Sequence, residues 1–199
     1  METIRGRRSH NLDSDGLMER IKGYNNILLD LGTGDGRFVS RMAECHQEIF
    51  FIGVDACREN LHVNSRRKLV NALFVIANAR SLPCELNGLV SHVSINFPWG
   101  SLLGSLLKAD CALLNGLDAI TRPCASIDIH LNADALATAN SELEAGANQI
   151  QSILNESCWK TKSYSRMDVS ALRSFSTTWA KRLAFGRAPR TIHLSFQKQ

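Results

Sequence analysis

The chain has 199 residues, 44% of them hydrophobic and 21% charged, which is enough apolar material for one substantial core and too little charge for a disordered chain. A net charge of +4 names no partner by itself, and no uninterrupted apolar run is long enough to span a bilayer. The basic start "METIRGRRSHNLD" lacks the apolar stretch of a secretory signal, and six scattered cysteines without a C-x-x-C pair argue against a zinc site and for reduced thiols in a cytoplasmic protein.

Short β-branched and aromatic runs alternate with helical patterns along the chain. "NILLDLG" (26–32) is a compact apolar run that ends in glycine, a good first strand of a parallel sheet. "RFVSRMAECHQ" follows at helical spacing, then "IFFIGVD" as a second strand. "RENLHVNSRRKLVNA" (58–72) reads as a helix with Leu61 and Leu69 inward, followed by "LFVIANA" and "SHVSINF" as the third and fourth strands. "ADCALLNGLDAITR" is a helix stopped by Pro123, and "ASIDIHL" a fifth strand. "ADALATANSELEAGANQIQSIL" (133–154) reads as a helix, "SCWKTKSYSRM" as a long strand with Trp159 in the sheet, "DVSALRSFSTTWAKRLAFG" as one or two helices and "TIHLSF" as a closing strand. Such alternation predicts an α/β fold with a doubly wound sheet, buried on both faces.

The loop "DLGTGDG" (30–36) stands where the first strand should give way to the first helix. Its glycines allow a sharp turn and a close approach of backbone to a ligand, which in this topology lies at the carboxyl ends of the strands. Asp55 ends the second strand, placed to accept both ribose hydroxyls of an adenosine moiety. A dinucleotide site needs G-x-G-x-x-G; here Gly32, Gly34 and Gly36 run G-x-G-x-G, with Asp30 before them and Asp35 among them. Negative charge repels a pyrophosphate and attracts a sulfonium and an ammonium, so the pattern favours S-adenosylmethionine over NAD. Asn78 and Ala79, after the third strand, stand where the adenine is expected, and the Asn78 side chain serves ordinary loop chemistry equally well.

"NFPW" (96–99) ends the fourth strand, beside the expected methyl donor. Methyltransferases acting on amino groups often carry an N/D-P-P-aromatic segment there, and Asn96-Phe97-Pro98-Trp99 is a loose version of it. Trp99 alone fits a core position under a helix as well as a pocket mouth. "FSTTWAKRLAFGR" shifts the balance, because Trp179 is followed by Lys181, Arg182 and Arg187, a setting suited to a flipped base and its phosphates. Two tryptophans would clamp one base, each stack contributing ~1–3 kcal/mol. Basic residues also gather at Arg5, Arg7 and Arg8, at Arg66, Arg67 and Lys68, and at Lys160, Lys162 and Arg166; with the C-terminal group they could merge into one phosphate-attracting face, although any single cluster reads more readily as solvated surface.

At these residues the sequence resembles the aminoglycoside-resistance 16S rRNA methyltransferases that act on N1 of adenine 1408, a nucleotide number. The resemblance runs through nearly the whole chain and is carried by "DLGTGDGR", "IGVDACRENL", "FVIANARSLP", "FPWGSLL" and "WAKRLAFGR". It implies a class I S-adenosylmethionine-dependent methyltransferase fold, Rossmann-like, in one domain with a seven-stranded sheet and an N-terminal β-hairpin within residues 1–20. It further implies a flipped adenine between Trp99 and Trp179, and a cofactor pocket that includes Asp30, Asp55, Ala79, Pro98 and the hydroxyl residue Thr177. Arg66, Arg67, Arg182 and Arg187 match the RNA-docking surface. The partner implied is 16S rRNA within the 30S subunit, met by a monomer without metal or membrane. The chain departs from the pattern in shorter segments before the third strand and after the fifth, in Asn96 at a place usually apolar, and in "APR" after "AFGR", where Arg190 must replace the usual cations.

Overall fold

The computed structural model describes residues 1–168, 170, 172 and 190–199. Among the described residues, nine strands form one mixed sheet: β1 (Glu2–Arg5), β2 (Arg8–Asn11), β3 (Asn26–Leu31), β4 (Ile49–Asp55), β5 (Ala72–Ile76), β6 (Val90–Asn96), β7 (Thr121–Asn132), β8 (Trp159–Arg166) and β9 (Thr191–Lys198). Their order across the sheet is β2-β1-β5-β4-β3-β6-β7-β9-β8. The seven strands expected are therefore joined by the two of the hairpin, which adds antiparallel to β5 through Thr3 and Val75. From β3 the chain runs to β4 on one side and later to β6 on the other, both parallel to it. This reversal opens a crevice at the carboxyl ends of β3 and β6.

Seven helices flank the sheet among the described residues: α1 (Ser14–Ile21), α2 (Arg37–Cys45), α3 (Arg58–Leu61), α4 (Gly100–Leu107), α5 (Cys111–Ile120), α6 (Ala133–Thr138) and α7 (Leu143–Asn155). Asp13 caps α1 by accepting the Gly16 N–H at 2.9 Å, and Asp110 caps α5. The main core lies under α1, α4, α5 and α7, where Leu17, Leu103, Leu117 and Ile150 meet Leu29, Val93, Ile127 and Leu194 from the sheet. Each such fully buried side chain contributes ~1.5–3 kcal/mol. A smaller core under α2 joins Val39 and Ala43 to Phe51 and Phe74, with Ile4 of the hairpin. Trp159 is buried at the start of β8, as a sheet residue should be.

Three local expectations change. Residues 58–72 do not form one helix: α3 is followed by a 3-10 turn, Asn64–Arg66, and an extended Arg67. Tertiary hydrogen bonds win over helical spacing there, since Ser65 Oγ accepts the hairpin's Gly6 N–H at 2.9 Å and Asn64 Nδ2 donates to the Asp35 carbonyl. Residues 133–154 break at Asn140, which takes φ 58°, a conformation asparagine tolerates better than most residues. Pro123 does not stop a helix. α5 ends at Ile120, and Pro123 lies inside β7 at a register irregularity opposite Val90 and His92, where a missing N–H disturbs the ladder least.

The sheet is also not apolar on both faces. Beyond β3, the face shared with α2 carries Asn96 and His92 of β6, Ser126, Asp128 and His130 of β7, and His193 and Ser195 of β9. These groups satisfy one another, as the site below shows.

Candidate cofactor and base-binding site

A cleft of about 590 Å³ opens at the carboxyl ends of β3, β4 and β6, within the size range of nucleoside-scale sites. It brings together Asp30, Gly32, Gly34, Asp55, Asn78, Ala79, Asn96, Pro98 and Trp99, residues drawn from four separate stretches of sequence.

The glycine loop contributes backbone and open space. Gly34, at φ +57°, has no atom within 4 Å of where a Cβ would stand, so its backbone faces the cleft; at Gly36 a Cβ would meet the Phe74 ring at 2.4 Å, so that glycine serves packing. The Gly34 N–H donates to Asp55 Oδ2 at 2.8 Å, and the Cys57 N–H donates to Oδ1 at 2.8 Å. Two backbone donors thus fix the carboxylate at the end of β4 while leaving further lone pairs on both oxygens. Asn78 and Ala79 line the same cleft, and Asn78 Oδ1 accepts the Arg80 N–H at 2.9 Å, the loop role for that side chain.

Asp30 is 1% exposed at the end of β3. Burial pushes its carboxyl up to about 7, and repulsion from Asp55 and Asp35 adds to this against the side-chain hydrogen bonds of Thr33 and Asn96. The Asn96 Nδ2 donates to Asp30 Oδ1 at 2.8 Å, and Asn96 Oδ1 lies 2.9 Å from His130 Nδ1. Burial and the neighbouring His193 hold His130 down to about 3, so it is neutral. The chain of contacts continues: His130 stacks on His193 at 4.5 Å, His193 Nε2 meets Asp128 Oδ1 at 2.8 Å, and Asp128 Oδ2 meets His92 at 3.3 Å. Burial works to raise Asp128, but the His193 hydrogen bond and His92 outweigh it, leaving the carboxyl below its ordinary value. His130 carried no expectation from its own neighbourhood; the signal was the polar alternation of "SIDIHL", which sets Ser126, Asp128 and His130 on one face.

The turn after β6 carries the aromatic. Phe97 is buried at φ 52°, a conformation costly for a bulky residue and characteristic of functional turns. The Phe97 N–H donates to the His130 carbonyl at 2.8 Å, and Pro98 is buried behind it. Trp99 is 44% exposed at the cleft mouth, which removes the core alternative for this ring. Trp179, Thr177, Arg182 and Arg187 lie outside the described residues.

The expected basic face forms in part. The Gly6–Ser65 bond seats the hairpin turn, with exposed Arg5, Arg7 and Arg8, against the turn that carries exposed Arg66, Arg67 and Lys68. Arg67 pairs with Glu44, and Arg190 is exposed where the chain enters β9. Lys160, Lys162 and Arg166 do not join this surface, because β8 is the opposite edge of the sheet.

The charge in the cleft suits a cation. Among the described residues, three carboxylates, Asp30, Asp35 and Asp55, line it against one guanidinium, and that Arg80 pairs with Asp110 at 2.8 Å. A pyrophosphate would meet net repulsion, whereas a ligand with a sulfonium, an ammonium and a ribose fits the donor set.

The chain matches a family model described as NpmA, 16S rRNA (adenine(1408)-N(1))-methyltransferase, over residues 2–198. It is 32% identical to an Escherichia coli protein of that name, with 94% of each chain covered. The structure is similar to the aminoglycoside resistance methyltransferase NpmB1, at 30% identity and TM-score 0.82, covering all of this chain and 99% of that one. It also shares its fold (TM-score 0.87, 24% identity, covering 100% and 96%) with a mutant of the Catenulisporales acidiphilia 16S rRNA (adenine(1408)-N(1))-methyltransferase solved with cosubstrate SAM. With the class I methyltransferase sheet, the acid-lined cleft and these matches together, the chain belongs to the 16S rRNA (adenine(1408)-N(1))-methyltransferase family.

Proposed function

We propose that the protein methylates N1 of adenine 1408 in the 16S rRNA of the 30S subunit, using S-adenosylmethionine, and thereby confers aminoglycoside resistance. The observation that carries this reading is a half-exposed tryptophan at the mouth of a cleft whose lining is acidic. Asp55 would hold the ribose, Asn78 and Ala79 the adenine, and Asp30 would face the cationic end of the cosubstrate. S-adenosylmethionine supplies an electrophilic methyl group when bound. The chain's own task is placement, because adenine N1 carries a free in-plane lone pair at neutral pH and needs no general base.

In this reading the target base leaves its stack and lies between Trp99 and Trp179. Methylation makes the ring cationic, and indole faces stabilise that charge. Asn96 has both amide groups engaged with Asp30 and His130, so a backbone carbonyl near Pro98 is the acceptor we favour for the exocyclic amine. Arg66, Arg67, Arg182, Arg187 and Arg190 dock the rRNA, and the protein acts as a cytoplasmic monomer.

Primer extension on 30S subunits incubated with protein and S-adenosylmethionine tests the proposal. A reverse-transcription stop at adenine 1408 is expected. A stop at another nucleotide, or none, overturns it.

A further inference from the structure

Four strands bring one row of polar side chains to the cofactor cleft. Asn96 of β6 and His130 of β7 are direct cross-strand partners, and His130 is in turn the partner of His193 on β9. Asp30 of β3 lies diagonally across from Asn96 and closes the row at the cleft. A carboxylate only accepts, so the Asn96 amide nitrogen must face Asp30 when that acid is ionised. The Asn96 oxygen then faces His130, whose Nδ1 must carry the proton. All the bonds point one way, from His130 through Asn96 to Asp30.

We propose that Asn96 and His130 are positioning residues for the cofactor acid: their one-way relay keeps Asp30 an ionised acceptor turned to the cleft, and so sets the protein's grip on a cationic cosubstrate. The proposal rests on the reading that the cleft takes S-adenosylmethionine. A protonated Asp30 would instead donate to the Asn96 oxygen, which requires the amide to turn over and His130 to move its proton to Nε2. The relay opposes that reversal. The groups that bear on it among the described residues are Thr33, whose side chain favours the ionised form alongside Asn96, and Asp55 of β4 and Asp35 of the glycine loop, which disfavour a charge on Asp30. On the far side, burial, His193 and His92 keep His130 neutral and able to hold the Nδ1 proton, against Asp128, which favours a charge on the ring.

The experiment is calorimetric titration of the full-length protein with S-adenosylmethionine from pH 6 to 9, comparing wild type with Asn96→Leu and His130→Phe. The cosubstrate's own ionisation cancels in the ratio of variant to wild-type Kd at each pH. Without the Asn96 donor, Asp30 ionises about one pH unit higher, so the ratio is about 9 at pH 6, about 5 at pH 7 and about 1 at pH 9. His130→Phe preserves the ring stack on His193 and moves the ratio the same way by a smaller factor. His130→Asn, which offers an amide N–H near the Nδ1 position, restores the wild-type profile. A ratio constant across the pH range for folded variants, as judged by circular dichroism, overturns the relay, since a purely structural loss has no pH dependence. Absence of binding by the wild type at every pH removes the proposed function itself, a result distinct from a flat ratio.

Discussion

An alanine at Gly36 would set its Cβ 2.4 Å from the Phe74 ring at a φ of +71°, whereas an alanine at Gly34 would meet only the backbone penalty. Gly36→Ala should therefore cost about 2–4 kcal/mol in urea unfolding, and Gly34→Ala about 1–2 kcal/mol with a clear loss of cosubstrate affinity. Asp55→Ala removes an acceptor held by two backbone donors, and calorimetry should show S-adenosylmethionine affinity falling by about 10–100-fold. Unchanged affinity would refute its ribose role. Trp99→Ala should abolish turnover while cosubstrate binding survives, which single-turnover methylation and calorimetry separate. Asp30 makes a trade of stability for function. Its folded value, about 7, lies above the ordinary 3.8, so burial favours the protonated form. The fold is spared this cost at pH 4 and bears it increasingly as pH rises towards 7. Asp30→Asn should then equal wild type near pH 4, exceed it at pH 8 by on the order of a few kcal/mol, and bind cosubstrate poorly. Asp30, Asp55 and the glycines were legible in sequence because loop and acid sit at a spacing set by one β-α-β unit. The true partners of Asn96 were not, because His130 lies on the next strand and only register brings the two together.

At the scale of elements, the strands were read more reliably than the connections. Apolar runs such as "IFFIGVD" are dictated by burial on the sheet and need no knowledge of the rest of the chain. The stretch 58–72 has helical spacing, yet it folds as two short turns because its polar groups find the hairpin and the glycine loop. The turn at Ser65 thus carries the cations proposed to dock RNA as well as a structural hydrogen bond. Ser65→Ala leaves the Gly6 N–H without its partner, and faster amide exchange in the hairpin is expected, with a stability loss of about 1–2 kcal/mol. Arg66→Glu should weaken 30S binding and lower the steepness of its salt dependence, as filter binding over a salt series would show.

Across the whole molecule, the sheet is open at both ends. β2 is one edge and β8 the other, and both present cations to solvent: Arg8 on the first, and Lys160, Lys162 and Arg166 on the second. Only the first belongs to the surface that also holds Arg66, Arg67 and Lys68. Unpaired strand edges invite pairing with another chain, and lysines along them discourage it. The β8 cluster, at the edge away from that surface, is placed to discourage edge-to-edge pairing of copies. Added salt should thus act twice over, loosening the proposed hold on the ribosome at one rim while it screens the like charges that would hold copies apart at the other.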